Sequence, residues 1–246
     1  MQAMIFAAGL GTRLKPITDN IPKAMVRVGG KTLIQHTVES LHDAGAQSIV
    51  VNVHHFAQKL RNYLIENKNF GCDIRISDER AMLLDTGGGL KKAAPLFDDG
   101  EHILIHNVDI LSNVNLRQFY EDNLTADATL LVSDRKTSRY LLFDENMRLQ
   151  GWTNIQTGEI KSPYPDIKVN ECHKLAFAGI HLFSPSLFPL MESFPEKFGI
   201  IDFYLNICNR VNIKGVKKRN LQLLDVGKLD TLKEADAFYD TIKTKI

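Results

Sequence analysis

The chain has 246 residues, enough for one large α/β domain or two small ones. Apolar residues make up 44% and charged residues 24%, so the chain can bury a sizeable core, and its net charge of +1 argues against a large basic surface for nucleic acid. No apolar stretch approaches the ~20 residues of a membrane span, and the three cysteines form no CxxC pair. We therefore expect a cytoplasmic protein with reduced thiols and neither a membrane nor a nucleic-acid partner.

The first half of the chain alternates strand-like and helix-like segments. Predicted strands cover residues 3–7, 48–53, 73–77 and 101–107, and predicted helices cover residues 32–44, 56–66 and 90–96. The first of these helices starts with a possible capping box of Thr32 and Gln35, and the last follows a turn at Gly87-Gly88-Gly89. This βαβαβαβ order predicts a parallel, right-handed, doubly wound sheet.

The second half is less regular. We predict a strand at 128–133, a hairpin over 139–152, a polar loop or lid at 153–172 and a strand at 174–183. A helix is expected to start at Ser184 with Pro185 in its first position, and further helices are expected at 200–211 and 229–242. No linker is evident, so a single α/β domain over residues 1–246 is predicted, with a mixed, mostly parallel sheet and helices on both faces.

The glycine-rich stretch after the first strand is the most informative part of the sequence. Gly9 and Gly11 let the backbone approach a ligand closely, successive N–H groups can cradle phosphate oxygens, and Arg13 and Lys23 add cations that suit a polyphosphate. A tight strand–helix turn would explain the glycines alone. A dinucleotide-binding motif is disfavoured because Leu14 replaces its third glycine, and a Walker A motif is absent from the sequence.

Several motifs in order resemble those of the sugar-phosphate nucleotidyltransferases. They are residues 9–16 (GLGTRLKP), 22–25 (PKAM), 84–89 (LDTGGG), 107–109 (NVD), 177–180 (FAGI) and 225–227 (DVG). Within this family the TGGG string is most similar to N-acetylmuramate-1-phosphate uridylyltransferases, with mannose-1-phosphate guanylyltransferases a close second. The resemblance implies a Rossmann-like fold of the nucleotide-diphospho-sugar transferase type, with residues 1–110 binding the nucleotide and 111–246 the sugar phosphate.

The metal ligands are predicted from strand ends and from the same resemblance. Asp109 and Asp225 each follow an apolar run, and carboxylates at the carboxyl ends of parallel strands lie where α/β sheets bind ligands. Each aspartate alone could equally be a turn or cap residue. Two carboxylates suit Mg²⁺, which takes its remaining ligands from phosphate and water, so we expect a Mg²⁺ cofactor there.

The remaining site predictions fall into two groups. The nucleotide is expected to be bound by Ala8, Gly9, Gly11, Thr12, Arg13, Lys23, Glu79 and Gly87, with Arg13 and Lys23 catalytic. The sugar phosphate is expected to be bound by Asn107, Asn154, Glu159, Gly179 and Asp202. Glu79 could instead be an exposed loop charge, and Trp152 could stack on the sugar or belong to the core.

These residues predict transfer of a nucleotidyl group from a nucleoside triphosphate, UTP favoured, to a sugar 1-phosphate such as N-acetylmuramate 1-phosphate. The alternatives are mannose- or heptose-1-phosphate guanylyl transfer, and cytidylyl transfer to a small phospho-alcohol, which would want an aromatic cage. A non-catalytic nucleotide sensor is disfavoured because Lys23, Asp109 and Asp225 are all present. The protein is expected to be a monomer or homodimer.

Overall fold

The computed structural model describes residues 1–98 and 100–243, so Asp99 and residues 244–246 of the predicted domain lie outside the described residues. The strands are β1 (Gln2–Phe6), β2 (Arg27–Val28), β3 (Lys31–Thr32), β4 (Ser48–Val53), β5 (Asp73–Asp78), β6 (Ile103–Asn107), β7 (Ile110–Ser112), β8 (Ala128–Ser133), β9 (Arg139–Phe143), β10 (Leu149–Asn154), β11 (Glu159–Lys161), β12 (His173–Phe183), β13 (Ile213–Lys217) and β14 (Leu223–Asp225). The α-helices are α1 (Leu33–Asp43), α2 (Ala57–Glu66), α3 (Asp85–Ala93), α4 (Leu116–Glu121), α5 (Ile200–Ile207) and α6 (Leu229–Lys243).

The main sheet has the strand order β5-β4-β1-β6-β12-β8-β13. Strands β5, β4, β1 and β6 are parallel, and β13 is parallel to β8. Only β12 runs antiparallel to both of its neighbours, β6 and β8. This mixed, mostly parallel α/β sheet confirms the predicted fold class, and the carboxyl ends of β1 and β6 lie side by side at one edge.

The long strand β12 connects the main sheet to a smaller one. Its first residues pair with β9, which continues antiparallel to β10 and β11, while its last residues pair with β6 and β8. The register of β12 against β8 shifts between Phe177 and His181, and Gly179 within this bulge has a φ of 76°, which a residue with a side chain rarely adopts. The bulge thus directs the strand from one sheet into the other.

The apolar core lies on both faces of the main sheet. Alternate residues of a strand point to opposite faces, and in β1 the side chains of Ala3 and Ile5 join one buried cluster while Met4 and Phe6 join the other. The first cluster includes residues of α1, α2 and α6, and the second includes residues of α3 and α5. Helices on both faces are what the alternating sequence pattern predicts.

Four details of the predicted elements are wrong. The three glycines 87–89 lie inside α3, which starts at Asp85 rather than after them. The 153–172 segment is not entirely loop, because Thr153 and Asn154 end β10 and Glu159–Lys161 forms β11. Helix α5 ends at Ile207, four residues earlier than expected. Thr32 caps α1 through Gln35 N, but the Gln35 side chain bonds to Glu39 instead of completing the capping box.

Two histidines on neighbouring strands are buried at the centre of the sheet. His106 lies on β6 and His181 on β12, and both rings are nearly inaccessible to solvent. Burial lowers the pKa of His106 to about 4 and that of His181 to about 3. Neither ring nitrogen of His181 has a hydrogen-bond partner. Both side chains are therefore neutral in the folded protein over most of the accessible pH range.

We expect these histidines to make the protein sensitive to mild acid. Because their folded-state pKa values lie below the unfolded value near 6.5, stability is present at pH 7 and is lost as the pH falls from 6.5 toward 4. Each histidine is expected to lower the free energy of unfolding by about 2 kcal/mol between pH 7 and pH 5. Urea unfolding at the two pH values measures the loss, and His181→Leu should reduce it by about half. The exposed His42→Gln serves as the control, and an equal loss in His181→Leu and wild type would contradict the assignment.

Candidate active site

The loop after β1 makes a tight turn at Gly11, and its backbone is exposed at Gly9. Gly11 has a φ of 67°, and a Cβ there would lie 3.0 Å from Thr18 Cγ2 and 3.1 Å from Lys23 Cβ, so this position requires glycine. Thr18 Oγ1 donates a 2.8 Å hydrogen bond to the Gly11 carbonyl. A Cβ on Gly9, in contrast, would meet no heavy atom within 4 Å. Gly9 therefore opens the backbone to a ligand on its exposed side.

The other predicted nucleotide-binding residues of this loop differ in accessibility. Thr12 and Arg13 are exposed and form a short 3-10 turn that is anchored by the buried Leu14. Ala8 is buried, with 5% of its surface accessible. A ligand on this loop would contact the exposed backbone at Gly9 and the Arg13 side chain, whereas Ala8 packs inside the protein.

A buried chain of hydrogen bonds holds the start of this loop. The Ala7 N–H donates a 2.7 Å bond to Asn52 Oδ1, and Asn52 Nδ2 donates a 2.7 Å bond to Glu79 Oε1. The second carboxylate oxygen, Glu79 Oε2, accepts a 3.1 Å bond from the Leu84 N–H. Glu79 is 0% exposed, so the alternative of an exposed loop charge is wrong, while its predicted role in nucleotide binding stays a prediction. The carboxylate instead links the glycine loop to the segment that leads into α3.

Burial raises the pKa of Glu79, and the hydrogen bonds from Asn52 and Leu84 act in the opposite direction. A buried carboxylate is costly unless its oxygens are paired. Both oxygens are used here, one by a donor from β4 and the other by a donor from the segment before α3. One feature of the sequence points to this hydrogen-bonding role of Glu79, namely the Asn52 amide at the end of an apolar strand. That Asn52 bonds to Glu79 is evident only from the structure.

The glycines of α3 allow close packing. The N–H groups of Gly87 and Gly88 donate bonds of 2.9 and 3.1 Å to the Phe198 carbonyl. A Cβ on Gly88 would lie 2.2 Å from the Glu196 carbonyl oxygen, and one on Gly89 would lie 2.6 Å from Glu79 Oε1. The Gly87 N–H is thus bonded within the protein, and the predicted contact between Gly87 and the nucleotide stays a prediction.

Asp109 and Asp225 come together from different parts of the chain. Asp109 lies in the turn between β6 and β7, and its carbonyl accepts a 2.8 Å bond from the Val226 N–H. Asp225 ends β14 and pairs in register with Ile110 of β7. Burial, and next the charge of Asp109, raise the pKa of Asp225, and Asp225 Oδ1 is buried with no hydrogen-bond partner in the described part of the chain. Two carboxylates are thus held near each other at the edge where β1 and β6 end.

Two cations from the glycine-loop region meet these carboxylates. The Lys23 ammonium forms an ion pair with Asp109, and both side chains are largely buried. A Cβ on Gly227 would lie 2.6 Å from Asp225 Oδ1, 2.9 Å from Arg13 Nη2 and 3.4 Å from Lys23 Nζ. Because these three atoms surround one glycine, a side chain at position 227 would displace the charged ends of Asp225 and Arg13. The predicted cations and carboxylates therefore form a single charged cluster.

The donor set of this cluster fits magnesium. No group of three or more histidine, cysteine, aspartate or glutamate side chains suited to a metal exists within residues 1–98 and 100–243, so a complete protein cage is not formed there. Two neighbouring carboxylates, one with an unpartnered buried oxygen, match the one or two that Mg²⁺ takes from proteins when phosphate and water complete its shell. Asp109 and Asp225 are the residues that would hold it.

Three of the predicted acceptor residues share one pocket. Its volume is about 410 Å³, and we call it the Trp152 pocket; its lining residues are Arg139, Trp152, Asn154, Glu159, Lys161, Ile201, Asp202 and Leu205. Lys161 Nζ lies 3.2 Å from Asp202 Oδ1, 3.9 Å from Glu159 Oε1 and 5.4 Å from the centre of the Trp152 ring. Trp152 therefore contributes to a pocket wall rather than only to the core.

The Trp152 pocket also contains two cations that the sequence interpretation missed. Lys161 and Glu159 lie two residues apart on β11, and such residues face the same side of a strand. This alternation could have been recognised if the segment had been predicted as a strand.

The other two predicted acceptor residues lie outside the Trp152 pocket. Asn107 ends β6, and its Nδ2 would be 3.0 Å from a Cβ on Gly179.

The glycine loop, the paired carboxylates and the separate Trp152 pocket suit nucleotidyl transfer to a sugar 1-phosphate, which is the class of reaction for which similar proteins are named. The Nucleotidyl transferase family profile matches residues 2–150. The N-acetylmuramate alpha-1-phosphate uridylyltransferase of Neisseria meningitidis is 30% identical over 96% of this chain and 97% of its own length. The chain belongs to the Nucleotidyl transferase family.

Other similar proteins divide between uridylyl and guanylyl transfer. The N-acetylmuramate alpha-1-phosphate uridylyltransferase of Caulobacter vibrioides is 46% identical over 44% of this chain, and the match spans only 45% of that relative. Mannose-1-phosphate guanylyltransferase catalytic subunit beta of Dictyostelium discoideum is 28% identical over 79% of this chain and 53% of the relative. These similarities confirm the predicted family and both subgroups that the motifs resembled.

A solved structure supports the fold. A putative glucose-1-phosphate thymidylyltransferase from Bacillus anthracis superimposes with a TM-score of 0.80 at 17% identity, covering 97% of this chain and 95% of that one. At this identity the likeness concerns the architecture only. None of the helices in residues 1–98 and 100–243 combines the length and the apolar character needed to cross a membrane.

Proposed function

We propose that this protein transfers a uridylyl group from UTP to N-acetylmuramate 1-phosphate, releasing pyrophosphate, with Mg²⁺ as its cofactor. The observation that carries the proposal is the similarity to the Neisseria uridylyltransferase over 96% of this chain, because it covers the nucleotide and acceptor halves together. A match confined to the glycine loop would have supported nucleotide binding alone.

The glycine loop and its cations are proposed to bind the triphosphate. Gly9 leaves its backbone open, and Gly11 gives the loop its left-handed turn. The guanidinium of Arg13 offers donors in a fork that suits phosphate oxygens. Lys23, next to Asp109, places a positive charge where the α-phosphate must approach the carboxylates. These two cations offset the repulsion between a triphosphate and a second phosphate.

The reaction needs positioning more than proton transfer. An oxygen of the sugar phosphate forms a bond to the α-phosphorus, and the bond from that phosphorus to the pyrophosphate oxygen breaks. The attacking oxygen is already anionic, so no side chain has to remove its proton. When bound between Asp109 and Asp225, magnesium supplies charge neutralisation for the reacting phosphates. The protein's part is to hold two anions in line.

The acceptor sugar is proposed to lie between the Asn107–Gly179 position and the Trp152 pocket. Asn154, Glu159 and Asp202 supply hydrogen-bond acceptors in that pocket, and the Trp152 ring offers an apolar face of the kind that packs on sugars. Lys161 is restrained by the two carboxylates beside it. Its ammonium is therefore held at the polar side of the pocket, while the side chain as a whole is 48% exposed.

Guanylyl transfer to mannose 1-phosphate is the second candidate. It is favoured by the similarity to the Dictyostelium guanylyltransferase subunit, which covers 79% of this chain. That relative is only half covered by the match, whereas the Neisseria uridylyltransferase is covered almost completely. The difference in coverage ranks the uridylyl proposal first.

A pyrophosphate-release assay distinguishes the candidates. UTP, GTP, CTP and dTTP are each combined with the 1-phosphates of N-acetylmuramate, N-acetylglucosamine, glucose and mannose in the presence of Mg²⁺. We expect the highest kcat/KM with UTP and N-acetylmuramate 1-phosphate, and no turnover when EDTA replaces the metal. A preference for GTP with mannose 1-phosphate would instead establish the second candidate, and turnover of no pair would exclude both.

A further inference from the structure

A second pocket, separate from the Trp152 pocket, is strongly basic. It has a volume of about 390 Å³ and is formed by the end of β8 and the segment between β13 and β14. We call it the basic pocket, and its lining residues are Ser133, Asp134, Arg135, Lys217, Lys218, Arg219, Asn220, Leu221 and Leu223. Four cations and one carboxylate thus surround a single concave surface of a chain whose net charge is only +1.

Among the described residues, the guanidinium groups of the two arginines of the basic pocket are not engaged in an ion pair or a hydrogen bond. Lys217 pairs with Asp134, and Lys218 Nζ lies 3.3 Å from Asp122 Oδ2. In the part of the chain that the structure describes, no ion pair or hydrogen bond engages the guanidinium of Arg135 or Arg219. Their donors therefore remain available to an anion that enters the pocket.

A hydroxyl group in the wall of the basic pocket is also unpartnered. Ser133 Oγ is inaccessible to solvent and finds no hydrogen-bond partner among residues 1–98 and 100–243. A buried hydroxyl without a partner is costly in a folded protein. Ser133 is the residue at which β8 ends and the chain turns toward Arg135. The wall of the pocket therefore combines free guanidinium groups with an unsatisfied polar atom.

The basic pocket adjoins the carboxylate pair. Leu223 lines the pocket and lies two residues before Asp225 on β14, and residues two apart on a strand face the same side. The charge of Arg135 also acts on the Asp225 carboxyl, together with those of Lys23 and Arg13. A molecule whose phosphate lies at Asp225 therefore has the basic pocket within reach of its other substituents.

We propose that the basic pocket binds a carboxylate on the sugar of the acceptor, an inference that rests on the proposed function. The triphosphate already has its cations in Arg13 and Lys23 on the glycine-loop side of the site. An acidic sugar phosphate brings a second anion to the Asp225 side, and planar guanidinium groups match carboxylates with two parallel hydrogen bonds. N-acetylmuramate carries such a carboxylate on a lactyl ether, while mannose and glucose do not.

The test compares two acceptors that differ only in this group. N-acetylglucosamine 1-phosphate lacks the lactyl ether of N-acetylmuramate 1-phosphate and is otherwise the same molecule. In the Arg135→Ala/Arg219→Ala variant, we expect the KM for N-acetylmuramate 1-phosphate to rise about tenfold or more relative to that for N-acetylglucosamine 1-phosphate, the size of one or two charge-assisted hydrogen bonds. Where the second sugar is not turned over, its inhibition constant replaces KM.

Two further variants sharpen the test. Arg210→Ala removes an exposed arginine near the end of α5 and should leave both constants unchanged. Arg135→Lys with Arg219 intact keeps the charge but loses the fork, so its rise in KM should be smaller than that of the double variant. An equal rise in KM for both sugar phosphates would mean that the pocket does not bind the carboxylate. That result would overturn the inference while leaving the proposed function intact. Absence of turnover of N-acetylmuramate 1-phosphate by the wild type would overturn both.

Discussion

Replacing Asp109 by Asn is expected to lower kcat for pyrophosphate release on the order of 10³-fold, because several kcal/mol of charge stabilisation would be lost. Asparagine keeps the size and one oxygen of the side chain but removes the negative charge that holds Lys23 and faces Asp225. The substitution also leaves the Lys23 ammonium without its ion-pair partner. The KM for the nucleotide is expected to change far less than kcat, since the glycine loop is untouched.

The Asp109 prediction is checked by steady-state kinetics at several Mg²⁺ concentrations. The variant should need more Mg²⁺ to reach half of its maximal rate, whereas loss of fold would lower the rate equally at all concentrations. Asp230→Asn is the matched control, because its side chain is 93% exposed at the start of α6. Near-normal turnover by Asp109→Asn would exclude Asp109 from the metal site.

The charged cluster could be predicted because its residues follow rules of local sequence. Glycines directly after a buried strand indicate a backbone that approaches a ligand, and an aspartate after an apolar strand indicates the ligand-binding edge of a parallel sheet. Asp109 and the loop glycines satisfy these rules, and the structure places them just beyond the carboxyl ends of the neighbouring strands β6 and β1. The fold class followed in the same way from the alternation of strand and helix periods.

The errors lie where tertiary contacts outweigh local preference. Three consecutive glycines favour a turn by propensity, yet α3 includes them because the chain around Phe198 packs so closely that a side chain at Gly88 would collide with the Glu196 carbonyl. Strand β11 has three exposed residues and is defined only by its pairing with β10. In both cases the deciding partner is distant in sequence.

Glu79 is likewise held by partners that are distant in sequence, and its substitution is expected to have the second large effect. Replacing Glu79 by Ala removes the acceptor for Asn52 Nδ2 and for the Leu84 N–H. Both donors are buried, and each orphaned buried donor costs about 1–3 kcal/mol, so we expect a loss of about 2–4 kcal/mol in the free energy of unfolding. Urea unfolding measures this loss, with Glu66→Ala at the exposed end of α2 as the matched surface control.

The same substitution is expected to affect nucleotide binding through the hydrogen-bond chain. Asn52 holds the Ala7 N–H at the start of the glycine loop, and Glu79 fixes the orientation of the Asn52 amide. Once that amide is free to turn, the loop is less well ordered before binding, so the KM for the nucleotide should rise while the KM for the sugar phosphate stays nearly constant. A merely destabilised enzyme would lose active molecules and show a lower apparent kcat with both KM values unchanged.

Glu79→Gln separates the two parts of this role. Its amide oxygen can still accept from Asn52, so the link to Ala7 is preserved, but its NH₂ group faces the Leu84 N–H, where an acceptor is required. We therefore expect Glu79→Gln to recover most of the nucleotide KM while remaining less stable than the wild type. Recovery of stability without recovery of KM would mean that Glu79 acts through Leu84 and α3 rather than through Asn52 and the glycine loop.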